Sequence, residues 1–273
     1  MLIHNDTLPT AEENLALDEA LVEVADRRSL QSEQSNSDLE SNPGNEEVLR
    51  LWELPSPCVV LGRASRLTDE VNTTACDADG VPVLRRASGG ATIVAGPGCL
   101  MYSVLISYQK RPTWRGLDVA HLQVMRRIRD AVQNAADSFD LPLQVEIQGT
   151  CDLTIDGRKF SGNALRCKRN WMIYHGTIMV AMPLHWLSKY LLEPPRQPAY
   201  REKRPHDTFV ANVLSPASAV ESRVFLRELV LQLASTWNAT EPWESCSWRD
   251  DVDVETKRLL GERYMQFAWH RSR

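Results

Sequence analysis

The chain has 273 residues, 43% of them hydrophobic and 25% charged, which is the composition of a globular protein with room for a sizeable core. Its net charge of −5 and pI near 5.7 argue against nucleic acid as the main partner. No apolar run is long enough to span a bilayer, so no membrane role is expected. The opening, MLIHNDTLPTAEENLALDEAL, has no basic region followed by an apolar stretch, and the expectation is a cytoplasmic protein. Six scattered cysteines form no CxxC pair and read as free thiols.

Residues 10–27 read as a helix opened by a Thr10/Glu13 capping box, with Leu17, Leu21 and Val24 toward the core and Asp18 and Glu19 on the other side. Residues 29–47, rich in Ser, Asn and Glu, read as a flexible polar loop. Residues 48–52 and 58–62 flank Leu-Pro-Ser-Pro and are expected to form a hairpin-like strand pair. A short helix over 69–79 precedes a strand–loop–strand–loop–strand run from Val83 to Tyr108. A long helix over 117–139 follows, its apolar face formed by Leu122, Met125, Ile128 and Val132. A strand over 143–147 leads to a tight hairpin, 151–155 and 158–165, turned at Asp156-Gly157. Another strand covers 171–182 and a helix 183–192; 193–206 is irregular. Two helices over 217–237 and 254–268 close the chain, with Val220, Val224, Leu226, Leu229 and Leu233, then Leu259, Leu260, Tyr264 and Phe267, as apolar positions. Strands in the middle and helices at the ends suggest one mixed α/β layer domain over 1–273.

Two stretches carry chemistry. In Arg85-Arg86-Ala87-Ser88-Gly89-Gly90-Ala91-Thr92, glycines let backbone N–H groups approach a ligand, and consecutive N–H groups form an anion-binding concavity. An arginine adds a planar fork of donors for a carboxylate or phosphate. In the second stretch, Lys159 follows a turn and precedes Ser161-Gly162-Asn163, and His175-Gly176-Thr177 lies on the next strand. A lysine near the glycine loop would set a fixed charge against a developing anion. From the residues alone, Lys159 reads most simply as a solvated turn lysine and His175 as a core histidine.

The three motifs together resemble the lipoate–protein ligase A family, within the biotin/lipoate ligase superfamily. The first matches Arg-Arg-x-Ser-Gly-Gly-Gly, with Ala91 at the third glycine; the second is Arg158-Lys159-Phe160-Ser161-Gly162-Asn163-Ala164; the third is His175-Gly176-Thr177. Asn14 to Asp18 and Gly62-Arg63 are also similar to the family. The resemblance covers about residues 12–213. It implies a biotin/lipoyl-ligase-like α/β (α+β) domain with a mixed central sheet flanked by helices. The implied activity is ATP-dependent: lipoate or octanoate becomes acyl-AMP, and the acyl group passes to a lysine of a lipoyl-domain or glycine-cleavage-H-type acceptor. Lys159 is then the catalytic residue. Arg85, Ser88, Gly89, Gly90, Thr92, Gly162, Asn163, His175, Gly176 and Thr177 would hold ATP and the adenylate. Mg²⁺ would bridge phosphates, with Asp152 a candidate ligand or a partner that orients Lys159. The acyl chain would run past Val83, Ile93 and Tyr174.

The chain departs from that pattern at Ala95-Gly96, where many members carry His-Asp, and it shows no separate C-terminal accessory domain, which suggests an accessory protein in its place. Gly96-Pro97-Gly98 is similar to the octanoyltransferase branch, which leaves two alternatives. One is a transferase that takes octanoate from acyl carrier protein onto Cys151 without ATP. The other is a non-catalytic lipoyl-binding homologue.

Overall fold

The computed structural model describes residues 1–35, 46–214 and 218–272. The strands are β1 (Leu2–His4), β2 (Val48–Glu53), β3 (Cys58–Leu61), β4 (Val83–Arg85), β5 (Ile93–Ala95), β6 (Cys99–Ser107), β7 (Glu146–Gln148), β8 (Asp152–Ile155), β9 (Arg158–Ser161), β10 (Asn163–Cys167), β11 (Trp171–Met179) and β12 (Glu241–Pro242). The helices are α1 (Ala11–Ser35), α2 (Leu67–Glu70), α3 (Thr73–Asp79), α4 (Leu117–Asp137), α5 (His185–Tyr190), α6 (His206–Phe209), α7 (Ala219–Trp237), α8 (Arg249–Leu259) and α9 (Phe267–His270).

Among the described residues, six strands form a mixed sheet in the order β10-β11-β6-β2-β1-β12. Its centre is the antiparallel pair β6 and β11, in register from Trp171 opposite Ser107 to Met179 opposite Cys99. Every residue of β6 is buried, as its nearly unbroken apolar sequence requires of a strand covered on both faces. Helix α1 packs against β11 and β6, while α4 meets β11 where His121 Nδ1 lies 2.9 Å from the Tyr174 hydroxyl. Two three-stranded sheets, β4-β3-β5 and β7-β8-β9, stand beside the main one. The mixed sheet with flanking helices is the expected α/β fold, and one hydrophobic core runs through it from Leu2 to Tyr264.

Local chemistry explains the helix starts and turns. Thr10 N–H donates to Glu13 Oε2 at 2.9 Å and Glu13 N–H to Thr10 Oγ1 at 3.2 Å, the expected capping box. Asp156 and Gly157, with φ of 52° and 68°, make the predicted turn between β8 and β9.

Several expectations are corrected. Helix α1 continues to Ser35, so residues 29–35 are helical; residues 36–45 of the expected loop lie outside the described residues. Asp18 and Glu19 are buried, at 5% and 3% exposure, because the helix is covered on both sides. Glu19 bonds Arg166, Arg263 and the Tyr264 hydroxyl. Strands β2 and β3 do not pair: β2 joins β1 and β6, and β3 joins β4 and β5, because the prolines carry the chain from one sheet to another. The 69–79 region is two short helices. The 143–147 strand is β7, a few residues later.

On α4, Leu122 is exposed, and Val124, Met125, Ile128 and Val132 form the buried stripe. On α7, Val220 and Val224 are exposed, and Phe225, Leu229, Leu233 and Trp237 are buried. Residue 217, the expected start of that helix, is outside the described residues. The last expected helix is α8, a π turn over Leu260–Tyr264, and α9, with Phe267 exposed.

Candidate active site

The two chemistry-bearing stretches face each other across one cavity of about 560 Å³, including its open mouth. One wall is the loop between β4 and β5. The other is the β9–β10 turn and the middle of β11. Leu15 of α1, Val60, Ile93 and Met101 supply apolar surface.

The loop is shaped by Arg86. Its guanidinium donates to Ser88 Oγ at 3.1 Å, to the Val60 carbonyl at 3.2 Å, and to the carbonyls of Gly89 at 2.5 Å and Ala91 at 3.0 Å. Burial pushes this arginine down to about 10. With the loop carbonyls drawn onto Arg86, the N–H groups of Gly89, Gly90 and Ala91 donate to no acceptor among the described residues. That is the arrangement of an anion-binding nest. Below the loop, Gly62 packs so closely against the Gly90 carbonyl that any Cβ at 62 would collide with it. Arg63 N–H donates to the Ser88 carbonyl at 2.8 Å.

Lys159 reaches the cavity from the opposite wall. Its ammonium lies 2.8 Å from Asp152 Oδ1, and Asp152 Oδ2 accepts from the Tyr200 hydroxyl at 2.8 Å. Each carboxylate oxygen thus has one partner, and the contact fixes where the lysine ammonium lies. Among the described residues no three His, Cys, Asp or Glu side chains gather as a metal cage. Asn163 is locked: its Nδ2 donates to the Cys151 carbonyl at 2.7 Å and to Ser161 Oγ at 3.1 Å, and Oδ1 accepts from Tyr102. Gly176 leaves the room that Asn163 takes; a Cβ there would overlap Asn163 Oδ1. Thr177 is tied to Gly162 by its backbone N–H at 3.1 Å.

His175 Nε2 is 2.5 Å from Ser88 Oγ, which joins the two walls. Its Nδ1 is 4.0 Å from Asp18 Oδ2. Burial lowers its pKa to about 4, so it is neutral at physiological pH, and the Asp18 charge does not reverse that. Asp18 itself accepts from Arg50 at 2.6 Å and Ser103 at 2.7 Å.

Of the residues expected at the site, Lys159, Gly90, Thr92, Gly162, Asn163, His175, Gly176 and Thr177 line this cavity, and Ser88 lines the adjoining one beside His175. Gly89 is exposed in the loop. Thr92 is held by Glu70, whose Oε2 accepts from its N–H at 2.8 Å and its hydroxyl at 2.7 Å. Arg85 is the exception. It is fully buried, and its guanidinium donates to the carbonyls of Gly62 at 2.8 Å, Ser65 at 2.7 Å and His270 at 3.1 Å. It supports the loop from beneath, and Arg86 is the arginine on the cavity.

Ile93 lines the cavity, but the two other expected wall residues do not. Val83 packs in a separate small cluster, and Tyr174 is wholly buried. Cys151 is half-buried behind Asn163, its thiol donating to the Asn163 carbonyl at 3.3 Å. Burial and the adjacent Asp152 push its pKa up to about 11. Ala95 and Gly96, at the place of the His-Asp pair, lie in the interior: Ala95 is fully buried, and a Cβ at 96 would meet Trp186 and Pro57.

Arg86 was quoted in the first motif but given no contact of its own, and Leu15, Met101, Glu70 and Tyr200 were not singled out. Nor was Asp18 assigned a role, although Asn14 to Asp18 is one of the segments similar to the family.

A mixed α/β scaffold thus sets a lysine against a glycine-rich loop across one cavity. Residues 10–233 match the lipoyl protein ligase A/B catalytic domain, and the chain belongs to that family. It is 24% identical to lipoate–protein ligase 1 of Staphylococcus aureus over 231 residues, 84% of this chain and 65% of that protein. It is 24% identical over 82% of its length to a probable lipoate–protein ligase A of Mycoplasma genitalium, covering 62% of it. The chain thus spans under two thirds of the length of these relatives. Among solved structures, a bi-partite lipoate protein ligase from Thermoplasma acidophilum superposes with a TM-score of 0.70 at 19% identity, covering 99% of this chain and 95% of that one. A lipoate–protein ligase A bound with ATP gives 0.66 at 19% identity, with 99% of each chain covered.

Proposed function

We propose that this chain carries the catalytic site of an ATP-dependent lipoate– or octanoate–protein ligase. The observation that carries the reading is Lys159, fixed by Asp152 and Tyr200 on one cavity wall and facing a loop of unengaged N–H groups on the other. In the first step a carboxylate oxygen of the free acid attacks the α-phosphorus of ATP and pyrophosphate leaves. The Gly89–Ala91 N–H groups hold phosphate oxygens, and Lys159 offsets the charge gathering between carboxylate and phosphate. In the second step a lysine amine of the acceptor attacks the acyl carbonyl, loses its proton, and AMP leaves. Lys159 stabilises the same oxygens, and most of the remaining contribution is positioning.

Leu15, Val60, Ile93 and Met101 form the apolar floor for the acyl chain. Mg²⁺ would travel with ATP, its shell mainly phosphate oxygen and water, which suits a site whose nearest carboxylate already serves a lysine. The solved relative described together with its E2 lipoyl domain supports a lipoyl-domain acceptor. We also propose that the site works within a single catalytic domain, in the cytoplasm, with an accessory protein as partner; the solved bi-partite ligase supports the last point. Incubation with ATP, lipoate and a lipoyl domain should add the lipoyl mass to one acceptor lysine; acylation that proceeds equally without ATP would overturn the reading.

The transferase alternative needs Cys151 as a thiolate. With its pKa at about 11, the thiolate fraction at pH 7 is about one in ten thousand, which counts against it.

A further inference from the structure

The last turn of the chain touches the strand that leads into the glycine loop. Arg85 N–H donates to His270 Nδ1 at 2.9 Å, and Trp269 Nε1–H donates to the Arg85 carbonyl at 2.9 Å. The Arg85 guanidinium returns a bond to the His270 carbonyl at 3.1 Å. Since Nδ1 accepts from an amide, the ring proton sits on Nε2, which donates to the Tyr264 carbonyl at 2.8 Å. The imidazole is buried, at 7% exposure. The same guanidinium holds the carbonyls of Gly62 and Ser65, and Gly62 packs under Gly90 while Arg63 N–H holds the Ser88 carbonyl. An unbroken series of direct contacts therefore joins His270 to the anion-binding loop, from a segment outside the residues 10–233 that match the family.

We infer that His270 is a positioning residue: through Arg85 it fixes the loop that cradles the phosphates. It touches no reacting atom itself. Its two ring nitrogens do separate jobs, and these can be dissected. Asparagine places an acceptor near Nδ1 and keeps the Arg85 bond; glutamine places a donor near Nε2 and keeps only the Tyr264 bond. A side chain that merely filled space would not distinguish the two.

The test compares His270→Asn, His270→Gln and, should either fold poorly, Trp269→Phe, by amide hydrogen exchange over residues 85–90 and by KM for ATP against KM for lipoate. Exchange in His270→Asn should stay close to the parent and quicken in His270→Gln and Trp269→Phe. KM for ATP should rise about tenfold in His270→Gln, the order of one hydrogen bond, with KM for lipoate unchanged. Equal exchange in the asparagine and glutamine variants, or unchanged exchange in Trp269→Phe, would overturn the inference. The KM arm rests on the ligase reading, whereas the exchange arm does not. A parent without ATP turnover would refute that reading and leave exchange to decide the role of His270.

Discussion

Among the described residues, Lys159 is the one cation that lines the cavity on the wall opposite the loop, and its ammonium is held by Asp152, which Tyr200 also bonds. Removing a preorganised charge of this kind lowers turnover by on the order of a hundredfold or more. Lys159→Ala should therefore lose adenylate formation and transfer to that extent while keeping its melting temperature, since the side chain is partly exposed. Normal activity in the folded variant would remove Lys159 from the mechanism. Cys151→Ser should keep activity near the parent, because the thiol is almost wholly protonated at neutral pH. A folded but inactive serine variant would restore the transferase reading. The residue scale also shows why Arg85 lies beneath the loop and not on the cavity. Two adjacent arginines at a strand end leave the backbone in opposite directions. Sequence places both beside the loop without saying which faces the cavity, and only the packing of the last turn on β4 decides that Arg86 does.

Elements were read well where one periodicity dominated. The β6 and β11 runs, the capping box of α1 and the Asp156-Gly157 turn are local signals, and they survive because nothing in the tertiary structure opposes them. The faces of helices were read poorly. Asp18 and Glu19 looked like a solvent face, but α1 is covered on both sides by β11, the C-terminal segment and α8, so its polar residues are buried with partners. On α7 the apolar residues Val220 and Val224 point outward, and the buried stripe starts at Phe225. This can be measured. Phe225→Ala, at a fully buried position, should cost about 3–5 kcal/mol. Val220→Ala, 73% exposed, should change stability by less than about 0.5 kcal/mol. Urea denaturation of the two variants checks this, and equal losses would mean that α7 packs by its other face.

For the whole molecule, burial lowers the pKa of five histidines: His4 and His175 to about 4, and His121, His206 and His270 in the same direction. A buried histidine with a depressed pKa is neutral in the folded state and protonates more readily once unfolded. The unfolded chain therefore binds more protons between about pH 4 and 6.5, and stability is full above that window and lost as pH falls through it. His4 and His175 would each contribute about 3 kcal/mol of that loss. The melting temperature should begin to drop near pH 6.5, above the ordinary carboxylate range; a flat profile down to pH 5 would contradict the burial of these rings. At this scale the sequence made the candidate site legible because its three motifs carry most of the cavity-lining groups in short segments. It could not show that the fold closes them into one cavity, nor that β2 and β3 belong to different sheets. Among the described residues, no helix is long and apolar enough to cross a membrane. The proposed function requires that this cavity activate a free acid with ATP. Pyrophosphate release should be measured with ATP, Mg²⁺ and either lipoate or octanoate, beside a reaction with carrier-bound octanoate and no ATP. Pyrophosphate release should depend on the free acid; no release, with Cys151 acylated by the carrier substrate, would rule out activation by ATP.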